Sequence, residues 1–155
     1  MEFTLADSHA EQLSRKEVAQ LLARPNLLRI AFLDERGEPV VHPVWYYYSR
    51  GKFYFATDRQ GRKAHALRRN PAVYYLVDEN PAGRSPLGVR GNGTARVVDD
   101  PKYATRVTRR NVVRYLGTAK SNSARAVLAM GPESCVVEVT PIKMATWKFA
   151  SSPSS

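Results

Sequence analysis

Two aromatic segments set the terms for any fold this chain adopts. "VVHPVWYYYS" (40–49) and "KFYFATD" (52–58) are rich in β-branched and aromatic residues and are joined by the tight "SRG" turn. Such a pair reads as two neighbouring strands. Side chains alternate across a strand, so His42, Val44, Tyr46 and Tyr48 fall on one face, and Val41, Trp45 and Tyr47 on the other. Both faces are bulky. A strand covered on both sides fits a barrel wall that also serves an interface. Pro43 has no N–H for a ladder, so it requires an edge, a bulge or a missing partner.

Five more strands follow from the same pattern: "LLRIAFLD" (27–34), "AVYYLVD" (72–78), "LGVRGNGTARVVD" (87–99), "SCVVEVT" (134–140) and "IKMATWKFA" (142–150). Gly88, Gly91 and Gly93 weaken and bend the third of these. Helices are fewer. Ser14 and Glu17 form a capping box that opens one through about Ala23, ended by Pro25. Gly61–Asn70 reads as a short second helix. Asp99 or Asp100 caps a third, with Pro101 at its first position, and Ser121–Ser123 starts a fourth through Met130. No βαβ alternation appears. The expectation is a mainly β domain over residues 1–150, a six- or seven-stranded antiparallel barrel with peripheral helices, and a disordered tail over 151–155.

Composition narrows the partners. With 24 basic against 14 acidic residues among 155, the net charge is +10, which favours an anionic partner: nucleic acid, a phosphorylated cofactor or an acidic substrate. From Pro101 to Pro132 there are seven basic residues and no acidic one. On the third helix Lys102, Arg106, Arg109, Arg110 and Arg114 share one arc, opposite Ala104, Val107, Thr108, Val112 and Tyr115. A solvated basic face is the plain reading, and an acidic ligand the other. The single cysteine, Cys135, reads as a buried strand thiol. No apolar run is long enough to span a membrane, and the N-terminus is unlike a secretion signal; a cytoplasmic location is expected. His9, His42 and His65 lack metal-ligand spacing. No hydrolytic triad, nucleophile elbow or Walker loop is present. A cofactor that brings its own chemistry is the better expectation.

The second helix carries an anomaly. "GRKAHALRRNP" places Arg68 and Arg69 in its last turn, where cations suit the helix dipole, but also Arg62 and Lys63 in its first turn, where they do not. A bound anion would reverse that penalty, because helix N-termini offer free N–H groups to phosphate.

Read as a series, "FYFATDRQGRKAHALRRNPAVYYLV" (53–77) resembles the cofactor segment of the pyridoxamine 5'-phosphate oxidase-like superfamily of flavin-binding split barrels. The matching residues are Thr57, Arg62, Lys63, Ala64, Leu67, Asn70 and Pro71, and the resemblance runs from about Leu27 to Phe149. It implies an antiparallel split β-barrel and a homodimer binding flavin mononucleotide (FMN), with the phosphate held by Arg62, Lys63 and Thr57. The ring would lie along His42, Pro43, Val44, Trp45, Tyr46 and Tyr47, and against Ala56. Asn122 would add a polar contact, and Trp147 would come from the partner subunit. The same fold hosts enzymes of the deazaflavin coenzyme, the alternative cofactor. Departures are also plain: the chain lacks the family's Arg and Lys at the ends of the second-strand segment, its Gln on the glycine-broken strand, and its C-terminal Arg and His. Oxidation of pyridoxamine phosphate is therefore not expected. The expected function is a flavin-dependent oxidoreductase acting on an unidentified small substrate. A deazaflavin-dependent reductase, a non-catalytic cofactor-binding or nucleic-acid-binding protein, and a haem-degrading relative are the alternatives.

Overall fold

In the computed structural model, which describes residues 1–150, the strand alternation is plainest in β2 (Leu28–Leu33). Leu28, Ile30 and Phe32 turn into the core, while Arg29 and Leu33 face out. Its neighbours build one sheet: β3 (Pro39–Val44), β4 (Tyr47–Ser49), β5 (Lys52–Asp58), β6 (Ala72–Glu79), β7 (Leu87–Val98) and β8 (Ser134–Pro141). The order is β3-β2-β6-β7-β8-β5-β4, antiparallel at every step. Two further strands lie off this path: β9 (Met144–Lys148) pairs with the start of β7, and β1 (Phe3–Leu5) pairs with β9 in parallel. The expected barrel is thus present as a seven-strand path.

The "VVHPVWYYYS" segment departs from the single strand expected of it. It breaks at Trp45–Tyr46 into β3 and β4, which stand at opposite ends of the path. Three peptide steps from Val44 to Tyr47 span at most about 10–11 Å, so the sheet must curl until its two ends nearly meet. The split in the barrel lies there. Pro43 sits on β3, which among the described residues pairs only with β2 and so leaves an edge where a missing N–H costs nothing. The other departure is β1, in an N-terminal stretch with no strand pattern. It is held by its register on β9, Phe3 opposite Met144.

Where β7 bends, its partner changes. Leu87–Arg90 pair with β9, and Gly93–Val98 with β8. At the corner, a Cβ on Gly91 would stand 2.0 Å from the Lys143 carbonyl oxygen, so only glycine allows the approach.

The interior holds Phe53, Phe55, Tyr75, Val77, Val89, Val137 and Val139, all fully buried, each worth roughly 1.5–3 kcal/mol if an apolar side chain. Four helices surround it. The helix α1 (Arg15–Ala23) opens with the expected capping box and buries Val18, Leu21 and Leu22. The second, α2 (Arg62–Arg69), packs on β2, β5 and β7. The third, α3 (Pro101–Leu116), is capped by Asp100 and lies outside β5 and β8, with Ala104 and Val107 against Val136. The fourth, α4 (Asn122–Ala129), is capped by Ser121 and packs on α3. Cys135 is buried, as its setting in the sequence implied, and burial raises its pKa. No helix among the described residues is long and apolar enough to cross a membrane. The expected tail, 151–155, lies outside the described residues.

Candidate functional site

Two concavities flank the strands that the sequence singled out. The smaller, about 400 Å³, is lined by Phe32, Asp34, Glu35, Arg36, Val40, His42, Arg62 and Lys63. The larger, about 780 Å³, lies between the barrel and the α3–α4 layer. Its lining includes Pro43, Val44 and Trp45 from the β3–β4 link, Ala56 and Thr57 from β5, Thr108 and Asn111 from α3, and Val127 beside α4's end. Adjacent residues of β3 separate the two, His42 lining one and Pro43 the other.

The smaller recess has the make-up of an anion site. Asp58 closes a turn in which its carbonyl accepts the Gly61 N–H and its carboxylate the Gln60 N–H. That turn delivers Gly61 as the N-cap of α2, a residue with no side chain to satisfy the first-turn N–H groups. Arg62 and Lys63 follow at once. Neither makes an ion pair among the described residues. Burial holds Lys63 below the usual lysine range, with its ammonium 5.8 Å from the Phe55 ring centre. Burial, and then the charge of Lys63, also push His42 down, so it is neutral near pH 7. Two carboxylates oppose the three cations of the recess, but Asp34 already accepts the Arg36 and Glu38 N–H groups of its own turn. A cationic recess with an uncapped helix start and desolvated charge is stabilised by an arriving anion.

The larger groove is walled mainly by the apolar surfaces of Pro43, Val44, Trp45, Ala56, Val127 and Met130, and polar residues, including the carboxylates Asp58 and Glu133, share its lining. The Trp45 ring stacks on Tyr115 at 5.1 Å and 6°. Thr108 and Asn111 are 7% and 4% exposed. The Asn111 amide nitrogen donates to the Trp45 and Tyr54 carbonyls, both at 3.4 Å. Its Oδ1 and the Thr108 hydroxyl have no hydrogen-bond partner among the described residues. Sequence reasoning had set Thr108 on the packing face of α3 and gave Asn111 no role. One signal was available: polar residues at i and i+3 on an otherwise apolar helical stripe.

The expected site residues therefore divide. Pro43, Val44, Trp45, Ala56 and Thr57 come together in the groove, and His42, Arg62 and Lys63 in the recess. Tyr46 is wholly buried, its hydroxyl donating to the Leu22 carbonyl and its N–H to the Tyr115 hydroxyl. Its side chain is part of the core. Tyr47 stacks on Tyr54 beneath the Arg110 guanidinium, 3.8 Å above its ring. Asn122 is exposed at the start of α4. Trp147 lies on β9 against Gly88, where a Cβ would meet the indole at 2.4 Å, and lines neither concavity of its own chain.

The basic arc of α3 is only partly a solvated face. Arg114 turns back to the end of α1, donating to the Leu22, Ala23 and Arg24 carbonyls at 3.0, 2.9 and 2.7 Å. It is a structural cap, whereas Lys102 and Arg109 remain exposed.

Comparison with known proteins places these features in a family. The sequence profile described as pyridoxamine 5'-phosphate oxidase matches residues 14–148. Among solved structures, a conserved hypothetical protein from Mycobacterium tuberculosis superposes with a TM-score of 0.80 at 23% identity, covering 98% of this chain and 96% of that one. An F420 reductase gives 0.62 at 25% identity, covering 81% and 94%. A FAD-binding protein from Mesorhizobium loti gives 0.67 at 21% identity, covering 91% and 99%. No curated protein matches the sequence.

Proposed function

Since the chain belongs to the pyridoxamine 5'-phosphate oxidase family, we propose that it is an FMN-binding oxidoreductase acting on a small molecule. One observation carries the reading: a cationic recess at an uncapped helix start stands beside an apolar groove, with neighbouring residues of β3 lining the two. A phosphorylated planar cofactor has those two halves. Arg62 and Lys63 would hold the phosphate through charge-assisted bonds, while Thr57, which lines the groove rather than the recess, would face the ring side of the cofactor. The groove between Pro43–Trp45 and Ala56 would take the ring and shield it from water. FMN, when bound, supplies hydride or electron transfer, and the protein supplies position and electrostatics. Working as a homodimer, the chain would bring Trp147, which serves neither concavity of its own chain, to its partner's site.

A deazaflavin-dependent reductase is the second reading. It is favoured by the likeness to the F420 reductase and by the exposed cations Lys102 and Arg109, which suit a ligand with an acidic tail. Titration of the ligand-free chain with FMN and, separately, with the deazaflavin coenzyme decides between them by cofactor fluorescence. Micromolar or tighter binding of FMN alone supports the first reading. Selective binding of the deazaflavin supports the second, and binding of neither refutes both.

A further inference from the structure

Lys63 has the setting of a reactive amine. The chain has seven lysines. Lys16, Lys102, Lys120 and Lys143 are exposed, and Lys148 is tied to Glu17 at 2.7 Å, which raises its pKa. Lys63 is half-buried and makes no ion pair among the described residues. Its ammonium stands 5.8 Å from the Phe55 ring centre. Phe32 and His42, packed edge to face at 5.3 Å, line the same recess of about 400 Å³. A lysine desolvated among aromatic rings, with no carboxylate paired to it, spends more of its time as the free amine, and burial does hold its pKa down. The free amine is the form that adds to a carbonyl. Arg36 and Arg62 line the recess beside it and are likewise without ion pairs among the described residues.

We propose that Lys63 forms an imine with small phosphorylated aldehydes, their phosphate held in the recess by Arg36 and Arg62. The Nζ lone pair adds to the aldehyde carbon and gives a carbinolamine. Its hydroxyl leaves as water, which carries off both hydrogens of the neutral amine, and a C=N bond replaces the C=O. No oxidant is consumed, and hydrolysis reverses the step. His42, lining the recess and neutral near pH 7, is a proton acceptor for it. Holding the phosphate makes the addition effectively intramolecular, which favours Lys63 over lysines in open water. The inference goes beyond the proposed function: it rests on the same anion recess but needs no cofactor. An imine at Lys63 and the phosphate of FMN would exclude one another.

The test uses glycolaldehyde phosphate, and glycolaldehyde as the same aldehyde without the phosphate. Cyanoborohydride traps the imine as a secondary amine, and peptide mass spectrometry reads each lysine separately, so the other six are internal controls. In the ligand-free chain Lys63 should label about tenfold or more faster than any of the six with the phosphorylated probe, and lose most of that lead with glycolaldehyde. Arg62→Gln, at an exposed position, should keep the melting temperature. It should slow labelling of Lys63 by the phosphorylated probe about tenfold and leave labelling by glycolaldehyde unchanged. Cofactor fluorescence follows FMN binding separately. FMN that binds and protects Lys63 supports the imine site and the phosphate assignment together. FMN that binds without slowing the labelling keeps the imine and moves the cofactor phosphate elsewhere. Selective, phosphate-dependent labelling in a chain that binds neither FMN nor the deazaflavin keeps the imine and refutes the cofactor reading. The proposal is overturned if Lys63 labels no faster than the exposed lysines, equally fast with either probe, or as fast in Arg62→Gln as in wild type.

Discussion

Replacing Arg114 by methionine tests whether the basic helix is a binding surface or part of the scaffold. The side chain donates three hydrogen bonds to the last carbonyls of α1, and its guanidinium lies 5.1 Å from the ring centre of Tyr46. Methionine keeps the length and the apolar stem but removes every donor. Hydrogen bonds to a charged group contribute about 1.5–3 kcal/mol each when independent. These three share one guanidinium on one helix end, so they do not add. A cation at a helix C-terminus adds about 0.3–1 kcal/mol. The expected loss is about 2–4 kcal/mol, or roughly 4–16 °C in melting temperature for a chain of this size. Urea unfolding followed by tryptophan emission measures it, and Trp45, beside Tyr46 in the link that closes the barrel, reports the site directly. Arg109→Met, at an exposed position of the same helix, should change stability by less than about 0.5 kcal/mol. An Arg114→Met variant as stable as the Arg109→Met control would show that the contacts at the end of α1 hold nothing together.

Two further outcomes follow from the same geometry. In Gly88→Ala the new Cβ would fall 2.4 Å from Trp147 Cζ2 and 2.9 Å from Asp78 Cβ, so the indole must shift at a cost of about 1–3 kcal/mol; a melting temperature within 1 °C of wild type would mean that the indole has room to spare. The His42 pKa lies below its unfolded value because of burial and then Lys63, so the unfolded chain binds the proton more readily. The stability His42 contributes is present above about pH 6.5 and is lost as pH falls toward its folded pKa. The stability gap between wild type and His42→Gln, measured by urea unfolding, should narrow from pH 7.5 to 5.5, and a gap independent of pH would contradict that assignment.

Local chemistry made most of the fold legible. The Ser14–Glu17 capping box, the Asp100–Pro101 helix start and the glycine-broken β7 are each written in a few neighbouring residues, and each stands where the sequence put it. What escaped was set by distant partners. Nothing in "VVHPVWYYYS" says that Trp45 and Tyr46 leave the ladder, because the break is imposed by closure of the sheet between β2 and β5. The strand β1 exists only by pairing with β9, some 140 residues further on. In the candidate site, the Arg62–Lys63 helix start was visible because a cation in a first turn runs against the helix dipole. Asn111 was not, because its significance lies in which carbonyls occupy its amide and which atom they leave over. Arg114 looked like surface charge and is a cap, since a periodic stripe cannot show that the end of α1 lies within reach.

The proposed phosphate site at the Arg62–Lys63 recess is the centre of the functional reading, and one titration addresses it. Wild type and the Arg62→Ala/Lys63→Ala variant are titrated with FMN and with riboflavin, which has the same ring without the phosphate. Wild type should bind FMN at micromolar or tighter concentration and well ahead of riboflavin. The variant should lose roughly 100-fold or more for FMN, as expected for two charge-assisted contacts, keep its fold, and bind both ligands alike. A variant that still prefers FMN as wild type does, or a wild type that binds the two ligands equally, would place the phosphate elsewhere and contradict the assignment of this helix start as its site.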